Sequence, residues 1–495
     1  MIYQVLFDDE LVVYWDRPQE CEKGYKYRVS YNGETVYVNS THFELHGLSP
    51  ESMVSMNVVL VDANGEWIAD VGETLCKLPK AKKRIDVSKP PYNAVGDGKT
   101  LQTAIIQKAF DDCQADECVY FPKGVYLTGA LNVHSDSEIY LDENAVLQGT
   151  ANVEDYLPKI KSRFEGIEGM CYRSLINMGE LDRNGGYNCK NVIIRGKGGI
   201  VGGGKPLMDN SIAAVVKERT EQYGESEEHI NVAWRTRGRL INISNAQNIV
   251  IYGIEAGMGP AWNIHMIYSD NVVTAGCYIH SEEVNNGDGW DPDSSTNCTL
   301  FDCDFNTRDD IVAIKSGKNP EGNVIARPSK YIKVFDCRCT HGHGLAVGSE
   351  MSGGVSDIYI WDCDIESSRC GLEIKGTKKR GGYVKNIHVS NVANSIIAIR
   401  QVEYNDDGKG ASTPPVFENY YFKDVSATGI IVLHTGERRK TSHICLQGFD
   451  EEYPIRNVFF ENVTLKNVEK DSFQTIEMQF TKNAYFKNVI CEGKR

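Results

Sequence analysis

The chain reads as all-β, a long parallel β-helix solenoid preceded by a small β-sandwich. Three observations carry that expectation. The 495 residues exceed one ordinary core, so two domains or an elongated repeat are required. Positions 1–80 alternate apolar and polar residues between turn signals, the period of half-buried strands. From position 187 onward a strand-rich unit recurs without any helical partner, which favours stacked β-coils over helical solenoids.

Taken in order, Leu11–Pro18, Tyr25–Glu34 and Met56–Trp67 are alternating strands, with a Gly/Pro turn at Leu45–Pro50. Residues 1–80 resemble a fibronectin type III module. A basic, proline-bearing stretch ending at Pro91 supplies a linker over residues 81–91, and the solenoid takes residues 92–495. Leu101, Ala104, Ile105, Ala109 and Phe110 have helical spacing. They predict a helix over Leu101–Cys113, N-capped by Thr100, that covers the open first coil. Val119–Leu131 and Ser137–Gly149 follow as strands. The repeat is a polar residue, often Asn, then a short β-branched run, then Asp or Asn. It starts at Lys190, Gln247, Asp270, Asn297, Lys330, Asp357, Lys385, Glu418, Arg456 and Lys482. After Gln247 the starts are spaced by roughly 20–40 residues, a solenoid period with loop insertions. Cys277, Cys303, Cys337 and Cys363 fall at like positions and predict an internal ladder of buried thiols. The 15 cysteines are an odd number with no CxxC pair near histidines, so no disulfide framework is expected.

A net charge of −15 excludes nucleic acid and anionic membrane as main partners. The first residues carry acids where an export signal carries lysines, and no apolar run is long enough to span a bilayer. The expected address is cytoplasmic.

The chemistry concentrates around Asp309 and Asp310. Adjacent like charges repel, so a strand does not hold them for stability. Asp288 precedes Asp309 by about one solenoid turn. Consecutive strand residues face opposite ways, so the three carboxylates meet only if the chain bends at Asp309–Asp310. His343 follows between two glycines, and Lys375 among further bases. On stacked coils these are strand ends lining one groove. That set suits glycoside hydrolysis, in which one carboxyl protonates the leaving oxygen and another, ionised, activates water or attacks. Close like charges raise the pKa of one member, which keeps an acid protonated. A lone Asp-Asp is ordinarily a solvated turn and a lone His a loop residue; the company they keep favours catalysis.

Tyr92 to the C-terminus resembles glycoside hydrolase family 28, the polygalacturonases and related pectin-degrading right-handed parallel β-helix enzymes. The family signatures Asn-Thr-Asp, Gly-Asp-Asp, Gly-His-Gly and Arg-Ile-Lys correspond to Asn286-Gly287-Asp288, Arg308-Asp309-Asp310, Gly342-His343-Gly344 and Glu373-Ile374-Lys375. The segment from Tyr92 to Phe110, with Val119–Gly129, looks like the opening segment of β-helix pectinases. The resemblance implies Asp309 as general acid, with Asp288 and Asp310 holding and activating the attacking water. It implies that His343 supports the proton balance of the acid and that Lys375 contacts a substrate carboxylate. Asn286 joins it among the substrate-binding residues. Inversion without a cofactor or metal is implied, with an acid-to-base separation of roughly 6.5–9.5 Å. The implied partner is a pectic oligosaccharide; monomer and homo-oligomer are both compatible with the sequence.

The departures carry weight. Gly287 and Arg308 lie outside the proton chemistry. Glu373 stands where the family has an arginine that binds a galacturonate carboxylate with the lysine. Either other cations compensate, with Lys315, Lys378, Lys379 and Arg380 as candidates, or the leaving-side sugar is neutral, as in rhamnogalacturonan; or Glu373 simply pairs with a lysine. Trp262 and His265, one coil before Asp288, are either sugar contacts or a core Trp with a satisfied His. Trp234, Arg235, Arg237 and Arg239 make a possible extra carboxylate site, and Lys217–His229 reads as a solvated loop or short helix. The N-terminal sandwich and the long stretch between Asp310 and His343 resemble exo-acting bacterial members. Two rivals remain: a calcium-dependent lyase using Asp288, Asp291, Asp293, Asp309 and Asp310, and a non-catalytic carbohydrate-binding β-helix.

Overall fold

In the computed structural model, which describes residues 1–433, 435–468 and 475–493, the chain divides into two units, Met1–Arg84 and Ile85–Arg495. The first holds two antiparallel sheets. One orders Ile2–Leu6, Glu10–Trp15 and His42–His46; the other orders Glu34–Val38, Lys26–Tyr31, Met53–Val61 and Trp67–Lys77. Leu11, Val13, Trp15, Tyr27, Val29, Met56 and Val58 form their buried core.

The second unit is a parallel β-helix. Each full coil sends one strand to an 11-stranded parallel sheet and a bent pair of strands to a 23-stranded sheet. The repeat has a conformational cause at both its ends. Asn191, Asn248, Asn271, Asn386, Asn419, Asn457 and Asn483 open strands at φ of 53° to 65°, the left-handed region that Asn tolerates best after Gly. Their amides stack from coil to coil: Asn271 donates to Asn248 at 2.9 Å, and Asn457 to Asn419 at 3.0 Å. Asp302, Asp336, Asp362, Asn391 and Asp424 turn the corner between paired strands at φ of 49° to 56°. Inside, Ile264, Trp290, Val312, Leu345, Leu372 and Ile397 succeed one another on the short sheet and are buried. Cys277, Cys303, Cys337 and Cys363 are all buried and free, and each sulfur faces the carbonyl two residues back at 3.2 to 3.3 Å.

Two local expectations are corrected. The first helix spans Thr103–Asp112, and its start is not capped by Thr100; that hydroxyl donates to Asp97 instead. Ile106, Ala109 and Phe110 bury its inner face, with Phe110 edge-on to Phe121. Lys217–His229 is helical on both sides of a short connection at 224–227. It is the end of a 20-residue helix, Gly204–Tyr223, and the start of another, Glu228–Thr236. Leu207, Met208, Ser211 and Val215 bury a stripe of the first that begins upstream of the charged run.

Candidate active site

The site is built on the outward face of the short sheet, on consecutive strands Ile264–Ile267, Trp290–Asp293, Val312–Ile314, Leu345–Val347, Leu372–Gly376 and Ile397–Gln401. Register alone aligns His265 with Asp291, Ala346 with Glu373, and Lys375 with Arg400. Asp288, Asp310 and His343 lie just before their strands.

The chain bends where the paired aspartates require it. The Asp310 carbonyl accepts from Gly289 on the preceding coil at 2.9 Å, and the Asp309 carbonyl from His343 on the following coil at 2.8 Å. Both carboxylates then face one side, where an oxygen of each and a His343 ring nitrogen lie within 4.8 Å of one another. The glycines flanking His343 are steric requirements. A Cβ on Gly342 would sit 2.6 Å from the Ile311 side chain. One on Gly344, at φ +132°, would sit 2.2 Å from the Gly371 carbonyl.

Charge neutralisation splits the site in two. On one side Lys315, 3% exposed, lies 2.8 Å from Asp288 and 3.1 Å from Asp291. On the other, Lys375 lies 3.3 Å from Asp310 and 3.4 Å from Glu373. The Glu373 carboxylate also accepts from His343 Nε2 at 2.9 Å and from Arg400 at 2.8 Å. Asp309 is the open member, its side chain 33% exposed against 8% for Asp310 and 5% for Asp288.

These neighbours set the protons. Burial pushes Asp288 well above the usual carboxylate range; Lys315 opposes it, and Asp291, Asp309 and Asp310 add to it. Burial carries Asp291 up to about 7 against the pull of Lys315. Burial would raise Asp309 too, but His343, Lys375 and Arg369 outweigh it and hold it below its ordinary value. Glu373 is held well below by Lys375, His343 and Arg400, again against burial. Burial favours a neutral His343, yet Asp310 and Glu373 lift it to about 10. Arg369 donates toward Nδ1, which calls for a lone pair there. The two pull in opposite directions, since the carboxylates favour a charged ring and Arg369 a lone pair on Nδ1; in either form the Nε2 proton faces Glu373. Burial, with crowding by Asp291, Asp309 and Asp310, thus raises Asp288, while the facing cations lower Asp309.

Several expected sugar contacts lie below the groove surface. Trp262 is 2% exposed and stacks on Phe164 at 4.5 Å; His265 is fully buried, edge-on to Trp262 and 3.5 Å from Asp293. Both are core residues, correcting their reading as sugar contacts. Lys315 is likewise a buried counter-ion, held over the Trp262 ring at 4.3 Å. Lys378 pairs with Asp450, Lys379 with Asp406, and Arg380 is fully buried on main-chain oxygens. None of the four expected cations compensates Glu373. Arg237 and Arg239 are buried against Trp234, Phe164 and Trp262, so they form no extra carboxylate site. Arg237 donates to Asn286 Oδ1 at 2.7 Å. The five aspartates of the calcium alternative do not share one centre, since Asp293 is taken by Arg163 at 3.2 Å and Asp288 and Asp291 by Lys315.

A hairpin, Ile160–Phe164 with Ile167–Cys171, lies along the coils from Asn242 to Lys318. Ser162 donates to Asn242 at 3.1 Å, Arg163 to Ser294 at 3.0 Å, and Lys318 N to the Gly166 carbonyl at 3.0 Å. Its tip residue Glu165 takes Arg235 at 2.8 Å, and Arg235 also reaches Asp407 at 3.1 Å. Arg163, Phe164, Arg400, Arg369 and the half-exposed Tyr404 beside Lys375 are the residues sequence reasoning missed.

Residues 122–484 match the profile of glycosyl hydrolases family 28. The chain belongs to that family. It is therefore a glycoside hydrolase on a parallel β-helix, and the family's four signatures all fall on this one face. A probable polygalacturonase of Vitis vinifera is 30% identical over 60% of this chain, a match spanning 58% of that relative. An exo-poly-alpha-D-galacturonosidase of Dickeya chrysanthemi is 25% identical over 97% of this chain and 89% of its own length. The family 28 exopolygalacturonase of Yersinia enterocolitica superposes with a TM-score of 0.79, covering 99% of this chain and 96% of that one; at 21% identity this speaks for the fold. Against the family signatures, Glu373 is the one departure within the charge cluster, and it is neutralised three ways.

Proposed function

We propose that this protein is an inverting, exo-acting hydrolase of α-galacturonosidic bonds in pectin-derived oligosaccharides. The observation that carries the reading is the hairpin packed over Asn242, Trp262 and Asp293, which we read as closing one end of a groove whose other end is lined by carboxylates and cations. A chain enters from the open side, and its terminal sugar comes to rest against the hairpin. The Dickeya relative, named an exo-galacturonosidase, aligns with nearly the whole chain, which supports the same substrate class.

In this reading Asp309 donates the proton to the leaving oxygen, because it is the carboxyl that the substrate reaches. Asp288 and Asp310 hold the water on the other face of the sugar, and Lys375 contacts a substrate carboxylate. Asp309 is ionised in the empty groove because His343, Lys375 and Arg369 face it. A sugar carboxylate seated on those cations removes their pull, and burial by the sugar then raises Asp309 into its donor form. The raised Asp288 favours a second reading in which it donates the proton, but its side chain is 5% exposed.

Product analysis tests the function. Galacturonic acid released stepwise from oligogalacturonides is expected; release only from rhamnogalacturonan fragments, or of mid-chain products, sinks the reading. A galacturonide with an activated aryl leaving group separates the roles. Asp309→Asn should lose far less on it than on the natural bond, because a good leaving group needs no acid.

A further inference from the structure

Glu373 stands where the family signature has an arginine, and its surroundings invert the consequence. Its side chain is 1% exposed, and it is gripped from both ends. Oε2 takes His343 Nε2 at 2.9 Å with Lys375 Nζ 3.4 Å away; Oε1 takes Arg400 through Nε at 2.8 Å and a second guanidinium nitrogen. Register explains the reach. Arg400 is the rung neighbour of Lys375, one strand spacing of about 4.8 Å along the solenoid. Glu373 precedes Lys375 by two residues and so shares its face. A guanidinium rooted at 400 leans back one rung and lies over Glu373. The anion is therefore on the floor and the cation above it, with Arg400 34% exposed against 7% for Lys375.

The local charge balance points the same way. Asp309, Asp310 and Glu373 are the carboxylates on this side; Lys375, Arg369 and Arg400 oppose them, before His343 is counted. The three cations offset the three carboxylates, so Arg400 meets an anionic sugar over a floor with no surplus negative charge. Glu373 uses one edge of the guanidinium, and a guanidinium has five N–H donors in a planar fork.

We propose that Arg400, anchored by Glu373, is the specificity-determining cation for the leaving-side sugar and receives its carboxylate. The inference rests on the galacturonide reading above. It makes Glu373 an anchor for the displaced arginine rather than the mark of a neutral leaving-side sugar.

The test compares trigalacturonate with the same trimer methyl-esterified on the leaving-side sugar. The parent should favour the free acid. In Arg400→Gln that preference should collapse by about 30-fold in kcat/KM, or roughly 2 kcal/mol, through KM more than kcat, and Arg400→Lys should restore part of it. Glu373→Gln, which frees Arg400 to move, should raise KM for the acid trimer without abolishing the preference. A thermal midpoint near that of the parent shows that Arg400→Gln is folded, and in the double variant Glu373→Gln/Arg400→Gln no buried anion is left unpaired. If the preference survives in both, or the parent cuts acid and ester alike, Arg400 only neutralises Glu373 and the proposal falls. If the parent cuts neither trimer, the galacturonide reading fails first and takes this inference with it.

Discussion

Two stretches of one sheet face differ in what lies over them. Upstream, at Ile241–Ser244 and Ile264–Ile267, the outward residues Asn242, Ser244 and His265 are sealed beneath the hairpin by Ser162, Arg163 and Phe164. Downstream, at Val312–Ile314, Leu345–Val347, Leu372–Gly376 and Ile397–Gln401, the same face carries ionised groups, and Asp309 and Arg400 remain one-third exposed. The inward residues of both stretches are the same stacked aliphatics. The scaffold is therefore indifferent to function along its length, and an inserted hairpin decides which rungs are core and which are groove.

The largest effect expected on the open stretch is from Asp309→Asn. It should lower kcat on oligogalacturonides on the order of 10³–10⁴-fold, the upper part of the range for a general acid, with the thermal midpoint kept, as read by a reducing-end assay and calorimetry. The sealed stretch should respond in the opposite way. Arg163→Ala strips a fully buried partner from Asp293 and should cost roughly 3 kcal/mol of stability in denaturant unfolding. The loss should shrink in acid. Burial depresses His265 to about 3 despite Asp293, and without the Arg163 charge the ring takes a proton more readily and pairs with Asp293. A loss that is flat with pH would break that account.

A smaller effect is expected in the pH profiles. A general acid works protonated, so activity falls as pH rises through its pKa. Asp309 is depressed in the free groove, so the falling limb of kcat/KM should lie at lower pH than that of kcat, where bound substrate has quenched the cations. Coincident limbs would mean that the cations do not meet the sugar. A separate effect, on stability alone, concerns Asp291. Its folded pKa of about 7 exceeds the unfolded value of about 3.9, so the folded state binds the extra proton. The stability this contributes is full below the unfolded pKa and lost as pH rises through 7. Asp291→Asn should flatten that slope and leave the variant more stable than the parent above pH 7, as measured by thermal midpoints across pH.

Much of this was written locally in the sequence. The Asn and Asp of the repeat are legible because a left-handed turn admits few residue types. The glycines around His343 are legible as a flanking pair, and the structure gives the reason: a Cβ would meet the Ile311 side chain at 342 and the Gly371 carbonyl at 344. Asp309-Asp310 is legible because two adjacent like charges have no structural excuse. Arg400, in a plain apolar run, carries no such mark. It matters only because one rung of register sets it over Glu373 on the preceding coil. Trp262 and His265 were ambiguous for the converse reason: a sugar-stacking Trp and a core Trp have the same sequence surroundings.

By itself the sequence determined the solenoid, its turns and the acidic cluster that we propose reacts, since each depends on backbone conformation or charge over a few residues. Only the tertiary structure decided which carboxylates burial raises and which cations lower, which cation answers Glu373 and which rungs the hairpin covers. Those depend on distances between residues far apart in the chain, such as Arg163 and Asp293 or Glu165 and Arg235. Coil lengths that vary from turn to turn hide such distances until the coils are stacked.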